Sequence, residues 1–308
     1  MKVAVFGGTG FVGKYILNSL INKKYNIYTL VRLGSQSKIS HIKNINIISG
    51  DIENQTSIEQ TLMNCSVVIY NIGIIRELKS QGITYQKLHF DYAKLVIDQA
   101  KKYNIKHFIL MSANGVKRDG TGYQHTKYLA EDYLKKSGLN YTIFRPSLIF
   151  GKTYNDQEFC SQLRDTMLNL PIPAPLFFEG INLFNAGKFS MSPIHVENVA
   201  DFFSKVILQE KHYMQSYNLG GIDTFDWKQI IQTISKALHK NKWMIPTPVI
   251  PVKILASLLD RFSFFPITKD QITMLLEGNT CESKDLFKAF DIIPLVFNAK
   301  SLSYLRKK

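Results

Sequence analysis

Tyr123 and Lys127 stand four residues apart in Tyr123-Gln-His-Thr-Lys127, the spacing of neighbours one turn apart on a helix face. An ammonium beside a phenol favours the phenolate and lowers the tyrosine pKa. A phenol tuned in this way donates or accepts a proton at a substrate oxygen while a hydride moves to or from a nicotinamide. The lysine is then free to hydrogen-bond ribose hydroxyls. Tyr-x-x-x-Lys is common by chance and gains meaning from a second pattern, Lys2-Val-Ala-Val-Phe-Gly-Gly-Thr-Gly-Phe-Val-Gly-Lys14. Four apolar residues run into glycines that fit G-x-x-G-x-x-G (Gly7, Gly10, Gly13) and G-x-G-x-x-G (Gly8, Gly10, Gly13). A helical pattern comes next, with Tyr15, Ile16, Leu17, Leu20 and Ile21 on its apolar side. A strand, a tight turn and a helix N-terminus make a phosphate site, where backbone N–H groups approach a pyrophosphate and the helix dipole favours its charge. The candidate residues there are Gly7, Thr9, Gly10, Phe11, Val12 and Gly13.

The elements that must position these groups alternate along the chain. Asn26–Arg32 reads as a second strand. Dinucleotide-binding units usually carry a carboxylate at its end to hold the ribose 2′-hydroxyl. Here Arg32 stands there, followed by Ser35, Ser37 and Lys38. A guanidinium pairs with a 2′-phosphate, so NADP(H) is favoured over NAD(H), the alternative cofactor. Ile45–Asp51 is a third strand, with Asp51 and Ile52 at its carboxyl edge as adenine contacts; Asp51 equally suits the N-cap of the next helix. Ser66–Asn71 is a fourth, placing Asn71 and Gly73 beside the cofactor. Tyr85–Tyr103 reads as one long helix with Leu88, Ala93, Leu95, Val96 and Ala100 inward. Lys106–Ser112 is a fifth strand, which brings Ser112 and Asn114 to the cofactor side. Asn140–Gly151 is the sixth, with Pro146 ending its ladder and Arg145–Ser147 turning over the nicotinamide end. This rhythm predicts an α/β Rossmann fold, a doubly wound parallel sheet with helices on both faces.

After Gly151 the rhythm fades. Pro171, Pro173 and Pro175 with Phe177, Phe178 and Phe184 suggest an irregular substrate-side segment. Met191–Ala200 leads into a helix, Tyr217–Gly221 is a short strand and turn, and Asp226–Leu238 is a helix. Trp243–Phe265 is the most apolar stretch outside the sheet. It reads as a lid helix starting near Pro251 and ending near Arg261, with Phe262, Phe264 and Phe265 behind it. An interfacial helix on an anionic membrane is the rival reading. The expected domains are residues 1–151, with 191–225 returning to them, and a smaller substrate or lid region of 152–190 and 226–308.

The formal net charge is +14, with 45% hydrophobic and 20% charged residues. A strongly basic chain suits an acidic ligand, an anionic membrane or nucleic acid. The lysines are scattered and no nucleic-acid signature accompanies them, so no nucleic-acid partner is expected. Cys65, Cys160 and Cys281 are odd in number and far apart, which gives neither a metal spacing nor a disulfide framework and points to a reducing compartment. Met1 leads straight into a strand, with no secretory pattern and no run near the ~20 apolar residues of a membrane span. The expected location is cytoplasmic, with a peripheral place at the inner face of the membrane as the alternative.

Taken together, these pieces resemble the extended and atypical short-chain dehydrogenase/reductases. Within them the chain looks most like the family of the 39 kDa accessory subunit of respiratory complex I and its bacterial relatives. The resemblance is carried by Gly7–Gly13, Val31-Arg32, Ser112, Tyr123 with Lys127, Arg145–Gly151, Pro193–Ala200, Tyr217–Gly221 and Phe265–Gln271. It implies a Rossmann domain, a bound NADP(H) or NAD(H), and a small C-terminal domain over a substrate. Enzymes of the superfamily place a Ser or Thr just beyond the fifth strand; alignment on His107-Phe-Ile-Leu puts Ala113 there, so Ser112 or Asn114 has to take that role.

The function expected is oxidoreduction of an apolar, quinone- or lipid-like carbonyl or hydroxyl, with Tyr123 as acid/base. The first rival is a non-enzymatic assembly or stability subunit associated with a respiratory complex, its nucleotide structural. The second is a nucleotide-sugar epimerase or dehydratase, which wants a polar, Arg-lined substrate domain. The Phe- and Pro-rich stretch from Leu170 to Phe189 is more apolar than that.

Overall fold

The computed structural model describes residues 1–153, 158–259 and 267–306. Arg261, Phe262, Phe264 and Phe265, and with them the start of the Phe265–Gln271 block, lie outside the described residues. The chain forms two compact units. The first holds Met1–Pro146, Val196–Leu219 and Leu286–Ile292; the second holds Ser147–His195, Gly220–Asp285 and Ile293–Lys308.

The first unit is built on a seven-stranded sheet. Its strands are β1 (Lys2–Phe6), β2 (Asn26–Val31), β3 (Ile45–Ser49), β4 (Val67–Tyr70), β5 (His107–Met111), β6 (Tyr141–Pro146) and Gln215–Leu219. The spatial order is Gln215–Leu219, β6, β5, β4, β1, β2, β3, and every neighbouring pair is parallel. Such a sheet needs helices on both faces, which is why β4 and β5 are buried along their whole length. The helices are α1 (Phe11–Asn22), α2 (Gln55–Leu62), α3 (Tyr92–Lys102) and α4 (Gly122–Lys135). One core layer gathers Phe6, Val68, Tyr70, Val96, Phe108 and Ile143. The helix Val196–Lys205 buries Phe202 and Phe203, and its Ser204 Oγ accepts from Ser19 Oγ of α1 at 2.9 Å. Strand order reverses between β1 and β4, so the ligand crevice of such a sheet lies beyond their carboxyl ends.

Three local expectations are corrected. Tyr85–Tyr103 is not one α-helix: Gln86–Asp91 is π-helical and α3 starts after it. Within α3 the buried residues Ala93, Val96, Ile97 and Ala100 form one face, and Leu95 lies on the opposite side at 42% exposure, as the 3.6-residue period requires. The N-cap of α2 is Asn54, whose side chain accepts from Thr56 N at 2.9 Å, and not Asp51. The proline-rich segment is not irregular either. Ala174–Phe178 is a strand paired in parallel with Met244–Pro248. Pro175, Pro246 and Pro248 fit because the ribbon has only two strands, so each has an outer edge where a missing N–H is tolerated. The second unit's core packs Phe150, Trp227, Ile230, Ile231, Ile234 and Phe297. The helix Trp227–Ala237 starts with a capping box between Asp226 and Gln229.

α4 is tied to the sheet by a buried carboxylate. Glu131, 1% exposed, accepts from Arg145 Nε of β6 at 2.8 Å and from Ser112 Oγ at 2.5 Å; Arg145 Nη2 makes a second bond to it. Burial raises the Glu131 pKa, but the hydrogen bonds from Arg145 and Ser112 outweigh it, and the carboxyl titrates below its ordinary range. Its contribution is therefore present above the ordinary carboxylate range and lost as pH falls through the lowered value. We expect Arg145→Leu to cost about 3 kcal/mol in urea unfolding at neutral pH, because it takes the two-bond guanidinium from a buried anion and leaves only the longer contact of Lys135 Nζ, at 3.5 Å. The deficit should shrink in acid, where Glu131 is protonated and no longer needs the guanidinium.

Candidate functional site

The glycine turn after β1 is packed backbone to backbone. Gly7 has φ +92°, and a Cβ there would lie 2.8 Å from the Asn71 carbonyl at the end of β4. A Cβ on Gly13 would sit 2.1 Å from Gly7 O, so no side chain fits there without moving the turn. Gly10 is the N-cap of α1, with no side-chain cap and no acidic residue in the first turn. The leading N–H groups of α1 thus meet no capping carboxylate or hydroxyl, and a diphosphate would supply the missing acceptors. Thr9, Phe11 and Val12 are half-buried around this turn. The residues present fit a dinucleotide.

Around this turn, Arg32 lies exposed just beyond β2. Its carbonyl accepts from Ser35 N at 3.0 Å, which closes a tight turn, and Lys38 N donating to Ser35 O at 3.2 Å closes the next. Asp51 is exposed beyond β3 and accepts from Glu53 N at 2.9 Å. Ile52 differs in kind: its side chain is in the core at 6% exposure, so only its backbone is left for a ligand. Asn71 N donates to Phe6 O at 2.9 Å, which continues the β1–β4 pairing into the crevice. Gly73 is exposed directly above Lys127, where a Cβ would approach Nζ to 3.2 Å.

Tyr123 and Lys127 do share a face of α4, whose N-terminus is fixed by a capping box between Thr121 and Gln124. Lys127 is 5% exposed and donates from Nζ to Met111 O at the end of β5, at 2.9 Å. Burial lowers its pKa to about 8, against the opposing pull of Glu131. The expectation of a lowered tyrosine pKa is corrected: burial pushes the Tyr123 phenol up to about 12. The ammonium is spent on a backbone carbonyl, and desolvation of the phenolate dominates.

A residue that the sequence reading missed completes this corner. His89, 1% exposed, stacks on Tyr85 with centroids 5.3 Å apart and meets the edge of Tyr123 at 5.1 Å. Its Nδ1 lies 3.1 Å from Thr126 Oγ1, and Nε2 accepts from Ile74 N at 3.1 Å. Burial first, then the Lys127 charge, lower its pKa to about 2, so the ring is neutral. It pins the loop after β4 to α4. Its position comes from the π-helical turn, which no spacing rule anticipates. Glu131 was legible in principle, since Tyr123, Lys127 and Glu131 continue one face at intervals of four.

Ser112 is buried, and its hydroxyl is committed to Glu131. Asn114 is half-buried and its N donates to Pro146 O at 2.9 Å, which joins the ends of β5 and β6. The Arg145 side chain turns to Glu131. Among the described residues no cluster of His, Cys, Asp or Glu could hold a metal ion, and no helix is long and apolar enough to cross a membrane.

Residues 7–163 match the model of a family described as NAD(P)H-binding. The 40 kDa subunit of mitochondrial NADH-ubiquinone oxidoreductase from Neurospora crassa is 22% identical over 270 residues, covering 85% of this chain and 67% of that protein. The chloroplastic divinyl chlorophyllide a 8-vinyl-reductase of Arabidopsis thaliana is 21% identical, over 72% of this chain and 53% of that one. Among solved structures, the UDP-glucuronic acid 4-epimerase of Bacillus cereus, in complex with UDP-glucuronic acid and NAD, superposes with a TM-score of 0.75 at 16% identity, over 99% of this chain and 98% of that one.

The low pKa of Lys127 makes a pH dependence. Its ammonium is present below about 8 and lost above. NADPH affinity, measured by fluorescence titration, is expected to be flat below pH 7 and to fall as pH passes about 8. In Lys127→Met the affinity should be weaker and lack that step.

Proposed function

Because the chain belongs to the NAD(P)H-binding family, we propose that it is an NADP(H)-dependent oxidoreductase acting on a carbonyl or hydroxyl of an apolar, quinone- or lipid-like substrate. It is of the short-chain dehydrogenase/reductase type and related to the complex I 39 kDa subunit. The observation that carries the proposal is the alignment of Tyr123 and Lys127 on one face of α4, with Lys127 at the end of β5 and bare Gly73 above it. A purely structural nucleotide site has no need of a Tyr–Lys pair there. NADP(H) over NAD(H) is supported by Arg32, exposed beyond β2 where a carboxylate would otherwise hold the ribose. The apolar substrate class is supported by the Phe- and Pro-rich composition of the stretch from Leu170 to Phe189.

When bound, the nicotinamide supplies or accepts the hydride. Lys127 holds the ribose hydroxyls. In the reductive direction the Tyr123 phenol would give its proton to the substrate oxygen as the carbon gains hydride. In oxidation the proton returns. A phenol held near 12 keeps its proton at neutral pH, so Tyr123 stands ready as the proton donor. His89 keeps the neighbouring loop in place without adding charge.

A second reading rests on Ser112, whose hydroxyl is engaged by Glu131 and not available to orient a substrate. In that reading the protein is a nucleotide-binding assembly or stability subunit, associated with a respiratory complex as the related subunits are named. The release rate of NADPH separates the two. Exchange of bound nucleotide within seconds fits a co-substrate, whereas retention over hours with unfolding on forced removal fits a structural group.

Two substitutions sharpen the test. Tyr123→Phe should lower turnover by about 10²–10⁴-fold while leaving NADPH affinity unchanged. Full activity in that variant removes Tyr123 from the mechanism. Arg32→Ala should weaken NADPH about tenfold and leave NADH nearly unaffected, because only the 2′-phosphate loses a partner.

A further inference from the structure

The helix Val249–Leu259 is apolar on both sides. Val249 and Ala256 are buried against Ile272 in a small cluster, with Val252 packed on it. The opposite side is bare: Ile250, Ile254 and Leu258 are 62%, 57% and 62% exposed, and Leu255 beside them is 47% exposed. They recur at intervals of four, so they form one stripe. The helix carries a single charge, Lys253, which is bonded to Glu179 Oε1 at 2.8 Å. Before the helix, Trp243 is 79% and Ile245 49% exposed. A soluble helix ordinarily presents polar residues outward, so this face calls for an apolar environment.

The same stretch is basic. Residues 227–259 contain five lysines and no acidic residue. Three of them, Lys236, Lys240 and Lys242, line a shallow pocket of about 470 Å³ with His239 and Ser235. The Ser235 hydroxyl is buried and has no hydrogen-bond partner among the described residues. Lys240 donates to Asn169 Oδ1 at 2.7 Å and Lys242 to Leu170 O at 2.6 Å, so both ammoniums are held in place with no counter-ion among the described residues. Burial, and then the charge of Lys240, lower the Lys242 pKa.

We propose that the stretch from Ser235 to Leu258 binds the surface of an anionic phospholipid bilayer, with the Ile250–Ile254–Leu258 stripe and Trp243 among the acyl chains and headgroup boundary and the Lys236–Lys240–Lys242 pocket on a headgroup phosphate. Apolar bulk, a tryptophan at the boundary and lysines beside it are the chemistry of an interfacial helix. Eleven residues of helix reach only about 16 Å, too short to span, so the helix lies on the membrane. A second copy of the chain is the weaker occupant, because a two-fold contact through this face would bring lysine against lysine. This inference stands independently of the oxidoreductase reading.

The test is sedimentation of the full chain with vesicles of phosphatidylcholine alone and of phosphatidylcholine with about one-third phosphatidylglycerol, at low salt and at high salt. We expect binding to the anionic vesicles about tenfold or more above the neutral ones, weakened by salt. The two tryptophans give a second readout: Trp227 is buried at 2% exposure, so a blue shift of emission on binding reports Trp243. Ile250→Ser with Ile254→Ser should abolish the shift, and Lys240→Gln with Lys242→Gln should remove the preference for anionic lipid. Unchanged NADPH affinity in both variants shows that they are folded. Equal binding to neutral and anionic vesicles, or no shift on either, overturns the proposal. So does a concentration-dependent dimer that the isoleucine variant dissolves while vesicle binding is absent, which would make the face an interface between copies.

Discussion

A single buried carboxylate sets the geometry of the candidate site. Glu131 receives Arg145 from β6 and Ser112 from the end of β5, so α4 is held against two strands at once. Lys127 lies one turn back along the same helix and reaches Met111 O; Tyr123 lies two turns back. Rotating α4 would break the ion pair, the lysine contact and the aromatic corner together. Stability in this unit comes chiefly from the apolar layers on the sheet, since a buried ion pair gains little over its desolvation cost. What it supplies is position. His89 serves the same end from the other side, as a neutral ring that ties the loop after β4 to Thr126.

The electrostatics of this corner stem from its dryness. Tyr123 is held up, while Lys127 and His89 are held down. Burial is the leading cause in all three, and each shift favours the uncharged form. A site in this state strengthens any charge that a ligand brings, because little water is present to screen it. The turn at Gly10 is the counterpart: it offers partial positive charge from backbone alone, where a diphosphate suits it.

Much of the fold is legible in the sequence because its signals are local. Four apolar residues before Gly7 and an apolar helical stripe after Gly13 define strand, turn and helix within about twenty residues, and repetition of that unit gives the doubly wound parallel sheet. The departures have physical reasons. Leu95 turns outward because the period of α3 sets it opposite Ala93, Val96 and Ala100, and a π-helical turn at Gln86–Asp91 interrupts the helix without a mark in the pattern. Pro175 reads as a breaker because the two-stranded ribbon that tolerates it depends on a partner far along the chain, Met244–Pro248. The tyrosine pKa goes the other way because spacing shows that Lys127 is near but not that packing desolvates the phenol. Glu131, Arg145 and Ser112 are far apart in the chain, and only the packed structure makes them one group.

The chain passes between the two units five times, and the order of those passages has a consequence for synthesis. β6 ends at Pro146, but the strand that covers its outer edge, Gln215–Leu219, comes many residues later. Phe287 and Phe290, which pack on Phe202 with centroids 5.3 and 5.0 Å away, come later still. At roughly 5–20 residues per second, β6 waits several seconds on the ribosome as an open sheet edge. An unpaired edge is the part of a sheet most prone to join the wrong chain. Nascent protein should therefore be most vulnerable to aggregation between these two events, and the hold of a chaperone would matter most in that interval.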